Sequence, residues 1–554
     1  MSSDVIERPW LQEISFLWLS RANSALLWVL VFALVLYPLL MVLAAAFTPS
    51  FPDSEPLKIF DLLTDRLITA VGNTLRLGFS VSLLSLVTGS ALALLAAHSR
   101  REGWVDLLMS IPFLTPPFVV SLAWSLAVGP KGYLGRAGLF GREAEQLIFS
   151  FWGLSLVMAA HYAPMVYFAV RSQIDKISSS LLWAGRIAGA TPRIVIGRIL
   201  FPMIFPALMA GSFLAFACAI EEYGTPLVIG NRIGFPVIAT EIARVVRVYP
   251  INLTLASGLA SILFTLVGSI YFVSHLLQRH AKTTSKMGSY PAPNLLSPGA
   301  RAGLWAFAAI YALFTLAIPY GSMLLTSLLK LVSAGPALSN LTLANYLHAL
   351  TEDSSGLRDA LLTSISLALF AALLGTLLGA ACARGGFVLT SMALVPAATP
   401  AITMAVGFIR GWNAPWTDWL PLYGSVVIVG LFYTAQYLPY AVQYARAGLA
   451  TIPPSYEWAA RIHGARRGTT TAHIVAPLLW PHALAGGVLI FSISFRELVG
   501  SVLLRPPGAQ TVSTFILREF DQGSPATGMA MGVIAISVSL ASISLARRLV
   551  PRRT

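Results

Sequence analysis

One segment of this chain occurs twice, and that repetition limits the fold more than any other feature. Trp183-Ala184-Gly185-Arg186-Ile187-Ala188-Gly189-Ala190 returns 275 residues later as Trp458-Ala459-Ala460-Arg461-Ile462-His463-Gly464-Ala465. Carried forward without a gap, the register pairs Ile199 with Ile474, Pro202 with Pro477, Pro206 with Pro481, Gly211 with Gly486 and Glu222 with Glu497. Chance composition does not hold register over about forty residues, so the chain consists of two similar halves. Pro112-x-x-x-Pro116 and Pro396-x-x-x-Pro400 match at an offset of 284, which implies a small length change between the halves.

Hydropathy says where both copies live. Hydrophobic residues make up 56% of the chain, charged ones 11%, and mean hydropathy is +0.75, far from the makeup of a water-soluble domain. A helix spans a bilayer with ~20 apolar residues. About six such runs precede residue 280, centred near 36, 86, 116, 159, 212 and 266, and about six follow residue 300, centred near 315, 372, 401, 434, 489 and 536. The expected fold is an all-α membrane protein of about 12 transmembrane helices. An even number of spans per half returns both copies of the loop to one side. The two six-helix halves are then parallel, related by a pseudo-two-fold axis along the membrane normal, with a translocation path between them. Residues 1–280 are read as the first half with its loop at 171–202, 281–300 as a Pro-, Gly- and Ser-rich linker, and 301–554 as the second half with its loop at 446–477.

The net charge of +14 does not mark a nucleic-acid surface, because the basic residues fill short segments between apolar runs. Arg100, Arg101, Arg171, Lys176, Arg186, Arg193 and Arg198 fall on one side of the alternating count, with Arg279, Lys282, Lys286 and Arg301. Arg384, Arg446, Arg461, Arg466, Arg467 and the tail Arg547, Arg548, Arg552 and Arg553 fall there too. The positive-inside rule makes that side the cytoplasm, with the linker and both termini on it. Cys218 and Cys382 lie far apart inside apolar runs and read as small packing residues rather than a disulfide. The first apolar run, near Ala25 to Phe47, is too long for a signal-peptide core and reads as a retained span.

The repeated loop resembles the EAA motif of type I ABC importer permeases, E-A-A-x3-G-x9-I-x-L-P. With Gly189 and Gly464 as anchors, the two copies read Trp183-Ala184-Gly185-x3-Gly189-x9-Ile199-Leu200-Phe201-Pro202 and Trp458-Ala459-Ala460-x3-Gly464-x9-Ile474-Val475-Ala476-Pro477. The resemblance implies a short cytoplasmic coupling helix that docks in a groove of an ATPase subunit. Trp183, Ala184, Gly185, Arg186 and Gly189 would then form one docking surface, and Trp458, Ala459, Ala460, Arg461 and Gly464 the other. Small residues and glycine suit close backbone approach, and Arg186 and Arg461 are available to acidic groups on the partner. Trp183 and Trp458 replace the motif's first glutamate, with Glu457 one residue earlier in the second copy. A tryptophan anchor in the groove is a reasonable substitute; the plainer reading is interfacial helices with tryptophan at headgroup level.

Asn73-Thr74-Leu75, Leu343-Ala344-Asn345-Tyr346, Glu222-Tyr223-Gly224-Thr225-Pro226 and Arg496-Glu497-Leu498 with Leu503-Leu504-Arg505-Pro506 resemble the fused permeases of the ferric-iron importer group, over residues 60 to about 545. Relatives in that group are described for thiamine, 2-aminoethylphosphonate, sugar phosphates and polyamines. The resemblance implies a bacterial inner-membrane permease that works with two copies of an ATPase subunit and an extracytoplasmic solute-binding protein. Ferric iron is its leading solute, with a phosphonate, sugar phosphate, thiamine or polyamine as the alternatives.

Carboxylates at membrane depth are costly and mark functional candidates. Glu222 and Glu497, with Glu221 and Arg496 beside them, are therefore candidates for the path or its gate, against the reading that they are helix-end groups satisfied by backbone. The paired glutamates lean toward a cation, whereas Arg232, Arg244 and Arg247 would serve an anion equally well. His161, His275, His463, His473 and His482 lack the spacing of a metal site, so none is expected. The chain contains no G-x-x-x-x-G-K-[ST] phosphate loop and no catalytic constellation. ATP is then a partner's substrate, and this chain is expected to bind no cofactor. A secondary transporter driven by an ion gradient is the rival class, but His98-Ser99-Arg100-Arg101-Glu102 lacks the G-x-x-x-D-R-x-G-R pattern of major-facilitator proteins.

Overall fold

The computed structural model describes residues 21–45, 64–99, 102–113, 115–129, 132–136, 142–279, 293–351 and 356–549. Arg100, Arg101, Arg552, Arg553 and most of the 281–300 linker lie outside the described residues.

In chain order the main helices are α1 (Ala25–Ala45), α2 (Asp65–Ala97), α3 (Glu102–Phe113), α4 (Pro117–Val128), α5 (Phe151–Ile174), α6 (Ser179–Ile187), α7 (Pro192–Glu221), α8 (Ile238–Arg247) and α9 (Leu253–Arg279). They continue as α10 (Pro298–Ser327), α11 (Leu357–Arg384), α12 (Phe387–Leu394), α13 (Ala401–Trp412), α14 (Val427–Leu449), α15 (Pro454–Ile462), α16 (Gly468–Ser494), α17 (Val499–Leu504), α18 (Val512–Asp521) and α19 (Pro525–Leu549). Among the described residues nine helices are long and apolar enough to cross a membrane, or eleven if each of two bent pairs is one span. The span expected near 434 is α14, 23 residues long. Thr434, Gln436, Gln443 and four tyrosines along it keep it out of the apolar class, and neighbouring helices bury much of its surface.

Both bent pairs sit where the sequence repeats Pro-x-x-x-Pro. In the first, α3 and α4 meet at 91°; in the second, α12 and α13 meet at 112°. The break is built alike each time. Thr115 donates its amide to the Pro112 carbonyl at 3.2 Å and Thr399 to that of Pro396 at 3.1 Å, and Pro116 and Pro400 then open the next helix from extended backbone. Proline supplies no amide and disfavours helical geometry in the residue before it, which fixes a bend at this place.

The chain folds into two compact units, and neither is a contiguous half. Unit 1 is Met1–Leu57, Val245–Ser261 and Tyr346–Thr554; unit 2 is Lys58–Arg244 and Ile262–Asn345. In unit 2 the core is the triad α2, α5 and α7, and in unit 1 the matching triad α11, α14 and α16. The first span of each sequence half packs with the helices of the other half. Leu27, Val31, Leu34 and Val35 of α1 are buried with Phe408, Phe432 and Tyr433 in unit 1. Gly407 and Gly411, spaced G-x-x-x-G on α13, make room for α1: a Cβ at Gly407 would lie 2.4 Å from the Pro38 carbonyl oxygen. In unit 2, α10 is held to α4 and α5 by Ser322 Oγ donating to the Ala123 carbonyl at 2.9 Å and Tyr311 Oη to that of Ala160 at 2.7 Å. Compactness and sequence repetition thus divide the chain differently, because the packing partners of α1 and α10 are distant in sequence.

Candidate functional site

Each copy of the repeated loop folds as a short surface helix, α6 in unit 2 and α15 in unit 1. Their ends are built alike. After α6, the Ala190 amide reaches back to the Gly185 carbonyl at 3.0 Å and the Gly189 amide to that of Arg186 at 3.1 Å. After α15, Ala465 bonds Ala460 and Gly464 bonds Arg461, both at 3.0 Å. This pair of bonds is the Schellman cap, which requires left-handed backbone at the residue beyond the helix. Gly189 and Gly464 supply it with φ of 84° and 76°. A Cβ on either glycine would meet nothing within 4 Å. Within this chain their role is conformational; in α6 the tight place is Gly185, where a Cβ would fall 2.8 Å from Ile199.

The cap turns one apolar strip outward. Trp183 and Ile187 are 43% and 82% exposed, and Trp458 and Ile462 are 51% and 83% exposed. The i, i+4 spacing puts each pair on one face, flanked by exposed Ala184, Ala459 and Arg461. Arg186 donates to the Ala190 carbonyl of its own cap at 2.8 Å. Attachment to the body differs between copies: position 182 is a buried leucine, whereas its equivalent, Glu457, pairs with Arg384 at the end of α11 at 3.1 Å. Beyond each surface helix, one turn widens to π geometry at the same register, Ile196–Leu200 and Thr471–Val475.

The candidate path glutamates also have matching surroundings. Glu497, 6% exposed, accepts from the Val499 amide at 2.8 Å, from Gly500 at 2.9 and 3.1 Å and from Ser501 at 3.2 Å. Its carboxylate caps the start of α17. Glu222, 9% exposed, accepts from the Thr225 amide at 2.7 Å, the same i+3 position. Glu497 thus caps a helix start with both carboxylate oxygens, whereas Glu222 uses Oε1 alone. Glu221 closes α7 and is half-buried, and Arg496 is half-buried with its carbonyl accepting from Ser513 Oγ at 2.8 Å.

A tyrosine accompanies each glutamate. Tyr162 is in electrostatic contact with Glu222, and Tyr437, 275 residues on, with Glu497. Carrying the repeat backward as well as forward exposes this pair, together with Pro164 and Pro439 and with Arg171 and Arg446. Of the arginines weighed as anion ligands, Arg232 pairs with Glu145 at 3.1 Å and lies over Phe149, and Arg244 pairs with buried Glu241 at 2.7 Å. Arg247 is exposed.

Two repeats of a transport-family pattern should match one family model twice, and they do. The model described as "Binding-protein-dependent transport system inner membrane component" matches residues 85–281 and 371–554. The ferric transport system permease protein FbpB of Actinobacillus pleuropneumoniae is 26% identical over 535 residues, covering 93% of this chain and 76% of that protein. A putative ferric transport system permease protein of Haemophilus influenzae is 26% identical, covering 83% and 74%. The putative 2-aminoethylphosphonate transport system permease protein PhnU of Salmonella paratyphi A is 30% identical over 220 residues, 37% of this chain and 76% of that protein. With its matching helix triads and doubled surface helix, the chain belongs to the family of binding-protein-dependent transport system inner membrane components and is a permease subunit of an ABC importer.

Proposed function

We propose that α6 and α15 are the two docking points for the importer's ATPase subunits, one copy on each. The observation that carries this reading is the doubled, Schellman-capped helix presenting Trp183 with Ile187 and Trp458 with Ile462. Exposed aromatic and aliphatic side chains on a rigid face are the anchors from which interfaces draw most of their energy. ATP is hydrolysed on those partner subunits, and this chain needs no cofactor of its own. A solute-binding protein delivers the solute on the opposite side, and both termini lie with the docking helices in the cytoplasm. Ile187→Glu with Ile462→Glu leaves caps and core untouched and places a charge on each docking face. Co-purification of the ATPase should fall below detection while insertion is unchanged; undiminished association in the double variant would contradict the assignment.

The solute proposed first is ferric iron, after the fused relatives whose names carry it and whose length this chain largely covers. An oxyanion is the second reading, favoured by one observation. Glu497 spends both carboxylate oxygens on backbone amides and Glu222 spends Oε1, so the paired carboxylates argue less for a cation than their sequence positions suggest. Uptake into proteoliposomes holding the chain, its ATPase and its binding protein separates the two. Ferric iron entering with ATP supports the first, and 2-aminoethylphosphonate or sulfate entering instead supports the second.

A further inference from the structure

Arg410 stands in the second half of a broken, otherwise apolar span and is 9% exposed. Its Nε donates to Ser257 Oγ at 3.2 Å and its Nη2 to Thr254 Oγ1 at 3.5 Å, both from the first turns of α9. Around it Phe408 and Ile409 are buried. Among the described residues no carboxylate pairs with it. A guanidinium has five N–H donors in a planar fork, and two hydroxyls answer only part of them and none of the charge. Burying a cation without an anion is costly, and in a membrane segment such a group points to a ligand of opposite charge.

Unit 1 carries further positive charge next to a helix that packs on α13. Helix α17 packs on α13 and leads into Arg505, whose Nη1 donates to the Ala509 carbonyl at 2.7 Å. Burial first, then Arg247 and Arg518, hold the Arg505 guanidinium below its ordinary range, so the three cations share one neighbourhood. Arg518 is paired with Glu519 at 2.8 Å.

We propose that Arg410, supported by Ser257 and Thr254, binds an oxyanion of the phosphate, phosphonate or sulfate type that arrives past Arg247 and Arg505. A guanidinium fork matches two oxygens of such a group. The proposal rests on the permease reading only for the source of the anion, because a transported solute and a phospholipid headgroup offer the same chemistry.

The test uses the purified full chain in nanodiscs, with radiolabelled inorganic phosphate and sulfate as probes and native mass spectrometry for retained phospholipid. Arg410→Gln should weaken phosphate or sulfate binding about tenfold or more, as expected for a lost charged hydrogen bond. Arg410→Lys should recover part of it, and Ser257→Ala, which keeps the guanidinium, should lose a smaller share. If the anion is a headgroup, the free probes do not bind, and the wild type retains an anionic phospholipid that Arg410→Gln releases. Equal probe binding and equal lipid retention in wild type and Arg410→Gln would overturn the proposal. If Arg410→Gln fails to fold, Ser257→Ala and Arg410→Lys decide it: binding unchanged in both overturns it as well. ATPase co-purification, read in parallel, stays intact in all three variants; its absence from the wild type would count against the docking assignment and leave the anion site standing.

Discussion

Replacing Glu497 with glutamine keeps the side chain's length but removes the charge that three backbone amides face. Hydrogen bonds to charged groups contribute about 1.5–3 kcal/mol each, so Glu497→Gln should lower thermal stability clearly. Glu222→Gln, with one amide at stake, should lower it less. Melting of the purified variants in detergent checks the order. An unshifted melting temperature with uptake abolished would instead put Glu497 on the solute path. The sequence offered both readings of these glutamates. What it does not show is backbone direction: whether a carboxylate turns onto the amides three residues ahead depends on the helix ending at Glu221 and on the extended backbone of Glu222. The role of the motif glycines was hidden for the same reason. Gly189 and Gly464 were legible as fixed anchors, but their positive φ shows only in the fold. Gly464→Ala should cost about 1–2 kcal/mol locally and weaken ATPase association without affecting insertion, as read by pull-down.

At the scale of the element, the two surface helices are equal in cap and exposed face but not in attachment. Leu182 buries itself where Glu457 forms an ion pair with Arg384, so the second helix is tied to the end of α11 by charge. Glu457→Gln or Arg384→Gln should weaken ATPase association about two- to fivefold, the scale of a partly exposed pair. The reversal Arg384→Glu with Glu457→Arg should restore it, and failure to restore would mean that each residue acts separately. Glu457 had been legible only as a neighbour of the missing motif glutamate. Its partner lies 73 residues back, beyond any local pattern. The π turns at Ile196–Leu200 and Thr471–Val475 were equally silent, since one extra residue in a turn leaves no mark in hydropathy. By contrast both broken spans coincide with the repeated Pro-x-x-x-Pro, because proline interrupts a helix through its own chemistry.

For the whole molecule, helical class and two-fold repetition followed from the sequence, whereas the exchange of first spans between units did not. Both α1 and α10 read as apolar runs that any neighbour would suit. Only interlocking surfaces such as Gly407 and Gly411 against α1 select the partner. Two fragments divided within the linker, 1–290 and 291–554, should each be protease-sensitive when made alone and resistant when made together; a separately resistant second fragment would show that α1 is dispensable to unit 1. The central claim, that a doubled surface helix couples this permease to its ATPase, is tested most directly by site-specific cross-linking. In chains whose native Cys218 and Cys382 have been replaced by serine, a single cysteine is placed at 187 or at 462 and treated with a short bifunctional reagent in membranes holding the complete importer. The account predicts an adduct with the ATPase subunit from each position, and adducts from neither would contradict it.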